Sequence, residues 1–315
     1  MTMNRCAPVA RRLTRFAAIV ALCVLFPSVA RAEAAITDST SLDLTLTTKA
    51  ELKLKLTETI VVPFLRGEGA MTSGNNVKLK LGAEATPVTA GCFAEATWTP
   101  IAFLQLVVGA SAGSGWNIPI ADGLRINERE GSHDAELTGG AFDGLVWSAK
   151  AGGAAQADLA AFWPGDWHHL VFRTYHVIWY RALTSAAADE SWLYENDAGE
   201  NRNGWNYYAN FLLGYQPPAK LRLVGLLVEV DRYLYAEKDG ELWGDDLGRW
   251  VFGVMGNYEI TPRLSATLLI QARTMRTFTD ETEDYGFYQD RRLAGDGSRH
   301  LEFYRVAATV SLRLR

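Results

Sequence analysis

Cysteine is almost missing from this chain: three occur in 315 residues. Two of them, Cys6 and Cys23, lie in an N-terminal stretch laid out like a leader, so a processed chain keeps only Cys92 and no intramolecular disulfide can form. Long apolar runs are missing as well. Beyond residue 32 nothing approaches 18 consecutive apolar residues, which excludes a membrane protein built from helices. Histidine is sparse, with five residues, and this narrows the choice of general bases.

The leader has three parts. Arg5, Arg11, Arg12 and Arg15 precede an apolar stretch from Phe16 to Pro27, followed by Ala30-Arg31-Ala32, the pattern of a secretory signal. The apolar part is shorter than the roughly 20 residues a spanning helix needs, so cleavage after Ala32 is expected. Lipidation at Cys23 is disfavoured because bulky Leu22 precedes it where a small residue is wanted. Losing residues 1–32 removes five arginines and no acid, taking the formal charge from -5 to -10. Residues 33–48 are expected to form a periplasmic lead-in and residues 49–315 a single domain.

What the chain has in quantity is alternation. Ala50, Leu52, Leu54 and Leu56 alternate with Lys49, Glu51, Lys53, Lys55 and Thr57, and Tyr304, Val306, Ala308, Val310, Leu312 and Leu314 alternate with Phe303, Arg305, Ala307, Thr309, Ser311 and Arg313. Period two over many segments means strands with unlike faces. The breaks between them are of two kinds. Short ones occur at Thr99-Pro100, Pro164-Gly165-Asp166, Pro217-Pro218-Ala219 and Thr261-Pro262-Arg263, in residues that preset tight turns. Long ones run over 66–76, 116–144, 183–205, 237–248 and 279–300. Short turns on one rim and long loops on the other characterise an outer-membrane barrel. Trp98, Trp116, Trp147, Trp163, Trp167, Trp179, Tyr207 and Trp250 gather near strand ends, as in an interfacial aromatic girdle.

The expected fold is therefore an all-β, antiparallel transmembrane β-barrel of about ten strands: 49–64, 77–98, 101–115, 145–163, 167–182, 206–216, 220–236, 249–260, 264–278 and 301–315. The second segment changes parity at Pro87, with Lys78, Lys80 and Glu84 on even positions and Thr89, Glu95 and Thr97 on odd ones. That change calls for a bulge or a hairpin. A hairpin there makes twelve strands the alternative, with residues 39–48 supplying another.

The stretch Ala85-Thr86-Pro87-Val88, followed by Thr97-Trp98-Thr99-Pro100-Ile101-Ala102-Phe103-Leu104 and Gly113-Ser114-Gly115-Trp116-Asn117, resembles a segment of the treponemal Tpr and major outer sheath proteins. The resemblance covers 72–117 and carries no catalytic residue. It implies a surface-exposed barrel, pore formation or adhesion, and a homotrimer. The final Arg315 departs from the terminal aromatic residue common in outer-membrane barrels.

Strand parity assigns side chains to the lumen. Inward-facing candidates are Lys53, Lys55, Lys78, Lys80, Lys150, Arg173, Arg181, Arg273, Arg305 and Arg313, with Glu84, Glu95, Asp158, Glu229, Asp231 and Glu259 against them. Such a ladder either lines a path for small polar solutes or pairs off and fills a narrow barrel. Catalysis has little support. His168 and His169 adjoin a short turn, His176 falls on the lipid side of its strand, and His133 and His300 lie in long loops with no nucleophile set beside them by spacing. Residues 195–203 gather oxygen ligands around Gly199 without the spacing of a calcium loop, so neither cofactor nor metal is expected. The acidic segments at Glu237–Asp246 and Asp280–Asp290 repel nucleic acid. Trp192, Leu193 and Tyr194, with Tyr285, Phe287 and Tyr288, put aromatics in two loops, either to meet a partner or to cap the barrel. The resulting expectation is a narrow porin-like channel in outer-membrane lipid, with an adhesin or structural surface protein as the alternative.

Overall fold

The computed structural model describes residues 35–128, 136–187, 190–195, 197, 201–234, 248–278 and 298–315. The leader and the acidic segments around Glu237–Asp246 and Asp280–Asp290 fall outside these residues, as do His133, Tyr285, Phe287 and Tyr288. The strands, in chain order, are β1 (Thr37–Thr47), β2 (Leu52–Pro63), β3 (Asn76–Ala85), β4 (Thr89–Ile101) and β5 (Leu104–Gly115), then the short β6 (Asn117–Ile118), β7 (Ala121–Asp122), β8 (Leu124–Glu128) and β9 (Glu136–Thr138). They continue with β10 (Val146–Asp158), β11 (Leu170–Leu183), the short β12 (Ser191–Tyr194), β13 (Gly204–Tyr215), β14 (Leu221–Tyr233), β15 (Arg249–Thr261), β16 (Leu264–Arg276) and β17 (Arg299–Arg313). The twelve long strands form a closed antiparallel barrel in the order β1-β17-β16-β15-β14-β13-β11-β10-β5-β4-β3-β2.

The count is twelve, the alternative, and not ten, and the two turns that the ten-strand scheme lacks have local causes. Between β1 and β2, the Thr47 hydroxyl oxygen accepts the backbone N–H groups of Lys49 and Glu51 at 3.2 and 3.4 Å, and Ala50 takes a left-handed φ of 59°. This tight turn contains neither glycine nor proline and cannot be seen by composition. Residues 37–47, read as a lead-in in the ten-strand scheme, thereby become a wall strand. The second turn is the parity change at Pro87. There the Thr86 hydroxyl oxygen accepts from Val88 N and Thr89 N at 3.2 and 2.9 Å, and Thr86 N donates to Thr89 O at 2.9 Å.

Two added strands also move a loop. The β2–β3 connection, 64–75, lies on the same rim as the short turns at 102–103, 216–220 and 262–263 and as the start of β1, here called the terminal rim. It was expected on the opposite rim. The loop rim holds the strand ends that 116–145, 184–203, 234–248 and 277–298 connect, together with the two short turns just described. Sorting of loops by length is therefore clean on the β10–β17 side only.

Parity settles the two faces of the wall. Leu81, Val108, Leu226, Val254 and Leu268 are between 49% and 57% exposed, and their neighbours along each strand point the other way. A continuous outer belt of this kind is the face a barrel turns to hydrocarbon. Trp250 and Tyr258, both outward on β15, mark its height. Eight residues at about 3.4 Å each, on a strand tilted about 40°, rise about 20 Å. Near the loop rim, Trp147, Tyr180 and Trp205 form a chain of ring contacts at 5.4 and 5.3 Å. Near the terminal rim, Trp98 meets Phe64 at 6.3 Å. Twelve strands about 4.8 Å apart at this tilt enclose a backbone diameter of about 24 Å, against about 20 Å for ten.

The main cluster of buried apolar side chains lies where the loops fold back. Strands β8, β9 and β12 form a small sheet whose Leu124, Ile126, Trp192 and Tyr194 pack with Val146 and Leu183 of the barrel wall. Gly123 is required for this docking, because a Cβ there would collide with the carbonyl oxygens of Val88 and Trp116.

Candidate functional site

The strand pattern gives the barrel interior two different walls. On β2, β3, β10 and β11, inward positions carry Lys53, Lys55, Lys78, Lys80, Lys150, Arg173 and Arg181, with Glu84 and, on β4, Glu95 among them. Glu95 holds Lys150 at 2.6 Å and stands 3.8 Å from Lys80. Lys53 lies 3.9 Å from Glu84. Lys55 sits 4.2 Å over the Phe93 ring and Arg173 5.2 Å from the Tyr175 ring centroid. That Phe93 ring fills the space where a side chain on Gly82 would stand.

The wall from β13 to β17 is a matched network. Glu229 accepts from the Tyr208 hydroxyl at 2.5 Å and from Gln271 Nε2 at 2.6 Å. Gln271, 2% exposed, passes the chain on by accepting from Arg305 Nε at 2.9 Å, and Arg305 also reaches Glu51 at 3.0 Å. Arg273 pairs with Glu302 at 2.6 Å and Arg249 with Asp231 at 3.1 Å. A register shift between β16 and β17 after Gln271 sets Tyr304 beside these cations. Lys49, Arg273 and Arg305 lie 4.6, 4.7 and 4.8 Å from its ring centroid. Partial burial, then the Arg273 charge, lower the pKa of Lys49, which stands in the β1–β2 turn.

The plug spans the mouth between the walls. The carboxylate of Glu195, following β12, accepts two hydrogen bonds, from Lys53 Nζ at 2.8 Å and from Thr89 Oγ1 at 3.3 Å. Strand β2 stands across the barrel from β11, where this loop starts. Arg181 anchors the near side, stacked 4.9 Å from Trp192 and 5.4 Å from Tyr194 and donating to Asn201 Oδ1 at 2.6 Å. Burial, then the Glu195 charge, push the Tyr194 hydroxyl up to about 12. Beneath the plug remains a cavity of about 460 Å³, lined by Lys49, Lys53, Arg181, Glu195 and Arg305 among others.

Several sequence expectations find a definite place. Asp158 stands apart from the other lumen candidates: at the terminal rim it accepts from Ala160 N at 3.0 Å and meets His169 Nδ1 at 2.6 Å, clamping the β10–β11 turn. Eleven residues of chain separate this pair, so spacing alone does not bring them together. Trp192, Leu193 and Tyr194 do not meet solvent but are 0%, 4% and 8% exposed. Among the described residues of the 195–203 loop, Asp197 accepts from Tyr194 N at 3.2 Å and from Asn201 Nδ2 at 2.7 Å. His176 bonds outward-facing partners, Thr174 Oγ1 and Tyr207 Oη, both at 2.7 Å. Sequence reasoning missed Glu195 as a lumen residue. The signal was Trp-Leu-Tyr directly before it, an apolar triplet that an acidic loop would not otherwise carry.

No protein-family model matches this sequence, and no curated protein does either. Among solved structures, the chain is similar to a KdgM porin, with 10% identity over 88% of this chain and 99% of that one and a TM-score of 0.37. It is also similar to the translocator domain of the autotransporter NalP from Neisseria meningitidis, with 10% identity over 97% and 96% of the two chains and a TM-score of 0.39.

Proposed function

We propose that this chain is an outer-membrane, porin-like channel for small polar solutes, a conduit with no catalytic step. The observation that carries the reading is the closed ring of twelve strands that is apolar outside and ionised inside. Lipid requires such closure, because an open strand edge leaves backbone groups without partners at several kcal/mol each. Charged side chains in the lumen keep water there. The larger diameter of a twelve-stranded ring leaves more room between the walls than the ten-stranded reading allowed. Kinship with the treponemal Tpr and major outer sheath proteins rests on residues 72–117, which build β3–β5.

A second reading, a surface protein with a closed lumen, draws on the plug packed around Trp192. Single-channel recording of the refolded protein in a planar bilayer separates the two, with heat-modifiable gel migration as the control for a formed barrel. Discrete conductance steps support the channel. A heat-modifiable barrel that never conducts overturns it and supports the closed surface protein.

A further inference from the structure

Resting on the channel reading, we propose that the lumen selects anions. Their path runs along the wall of β2, β3, β10 and β11, and the Glu195 carboxylate occupies the position that a solute carboxylate or phosphate takes at the mouth. Three cations of this wall, Lys55, Lys78 and Arg173, have no carboxylate within ion-pair distance among the described residues. Asp43 faces Lys55 across the β1–β2 ladder without forming such a pair. An unpaired charge in a confined lumen keeps its field, because low-dielectric walls focus it toward the solute. Strand direction spreads these groups from rim to rim. Lys53 is near the mouth, Lys55 and Lys80 follow, and Lys78 and Arg173 lie toward the terminal rim.

Among the described residues, the opposite wall supplies no comparable excess of either sign, since Glu229, Asp231 and Glu302 are all engaged by Tyr208, Gln271, Arg249 and Arg273. Glu195 shows how the mouth holds an anion: one oxygen on the Lys53 ammonium and the other on the Thr89 hydroxyl. It is carried by the plug, not the wall, so an incoming anion competes with it. The acidic segments 237–246 and 280–290 join β14 to β15 and β16 to β17 in sequence.

The test is the reversal potential of the refolded full-length mature protein under a KCl gradient in a planar bilayer. Chloride should be favoured over potassium by about threefold or more near 0.1 M, falling toward unity in 1 M as the screening length shrinks to about 3 Å. K78E and K55E should each move the reversal potential toward that of potassium, and K78Q gives the same direction if the glutamate variants fail the heat-modifiability control. E195Q should increase chloride current, and citrate should reduce wild-type current more than it reduces that of K53Q. Conductance steps that favour potassium, or that ignore all these substitutions, overturn anion selection and leave the channel standing. Absence of steps in both wild type and E195Q, with the barrel formed, overturns the channel itself and the inference with it.

Discussion

The two halves of the barrel solve the problem of a charged interior differently. From β13 to β17, every inward carboxylate of the central network has a named donor, and the outer face carries bulky residues such as Leu226, Val254, Leu268 and Ile270. From β2 to β11, inward cations outnumber acids, and the outer face of β4, β5 and β10 is largely alanine, as at Ala94, Ala110 and Ala151. Matched charges in a lumen support the wall; unmatched ones do not, and in the proposed channel they act on the solute instead.

The comparison can be broken in four places, starting with the joint between the halves. Trp192→Ala should cost the plug about 3–5 kcal/mol, as truncation of a fully buried aromatic does. Limited proteolysis should then cleave within 184–203 while heat-modifiable migration stays unchanged. Equal loss of barrel stability would mean the plug is part of the wall. Next, Gln271→Leu removes the link between Glu229 and Arg305 and should lower barrel stability by about 3 kcal/mol, since two hydrogen bonds to charged groups are lost. This is read as a shift in the urea midpoint of unfolding in lipid.

A pH series addresses Tyr194. Its raised pKa means that the folded plug prefers the protonated phenol. The associated stability is fully present below about pH 10 and is lost as pH rises toward about 12, on the order of 2 kcal/mol. Protease sensitivity of 184–203 should rise across that window, and Tyr194→Phe should abolish the dependence. The smallest effect is the sharpest contrast. Lys78→Met on the unmatched wall should change the urea midpoint by less than about 1 kcal/mol in either direction, because no ion pair is lost. A loss as large as that of Gln271→Leu would show that the walls are alike.

The outline of the fold was legible because alternation survives in nearly every strand, and alternation also groups the side chains that share a face. The turn at Thr47 was not legible, and the one at Thr86 was so only as a choice between a bulge and a hairpin at Pro87. Thr47 and Thr86 close hairpins through backbone N–H groups, and threonine inside a strand pattern is indistinguishable from a strand residue. Counting ten strands instead of twelve put one loop, 64–75, on the wrong rim. Pairings across the lumen were illegible for another reason: Lys53 and Glu195 are 142 residues apart, and parity gives the direction of a side chain without its partner. Tyr304 shows the limit of parity itself, since the register shift beside it reverses the direction that alternation predicts.

Closure has a consequence for how the barrel forms. Every ladder except one joins strands that follow each other in the wall as the chain is made. The exception is β1 with β17, whose seven paired positions run from Ser41↔Arg313 to Thr47↔Ala307, with Thr45 and Thr309, 264 residues apart, sharing a hydrogen bond between hydroxyls. Local hairpins close cheaply and early, whereas a contact of this separation waits for all the others. The seam is thus the last ladder to zip, and with fewer rungs than its neighbours it is the line along which the cylinder would part sideways into the lipid.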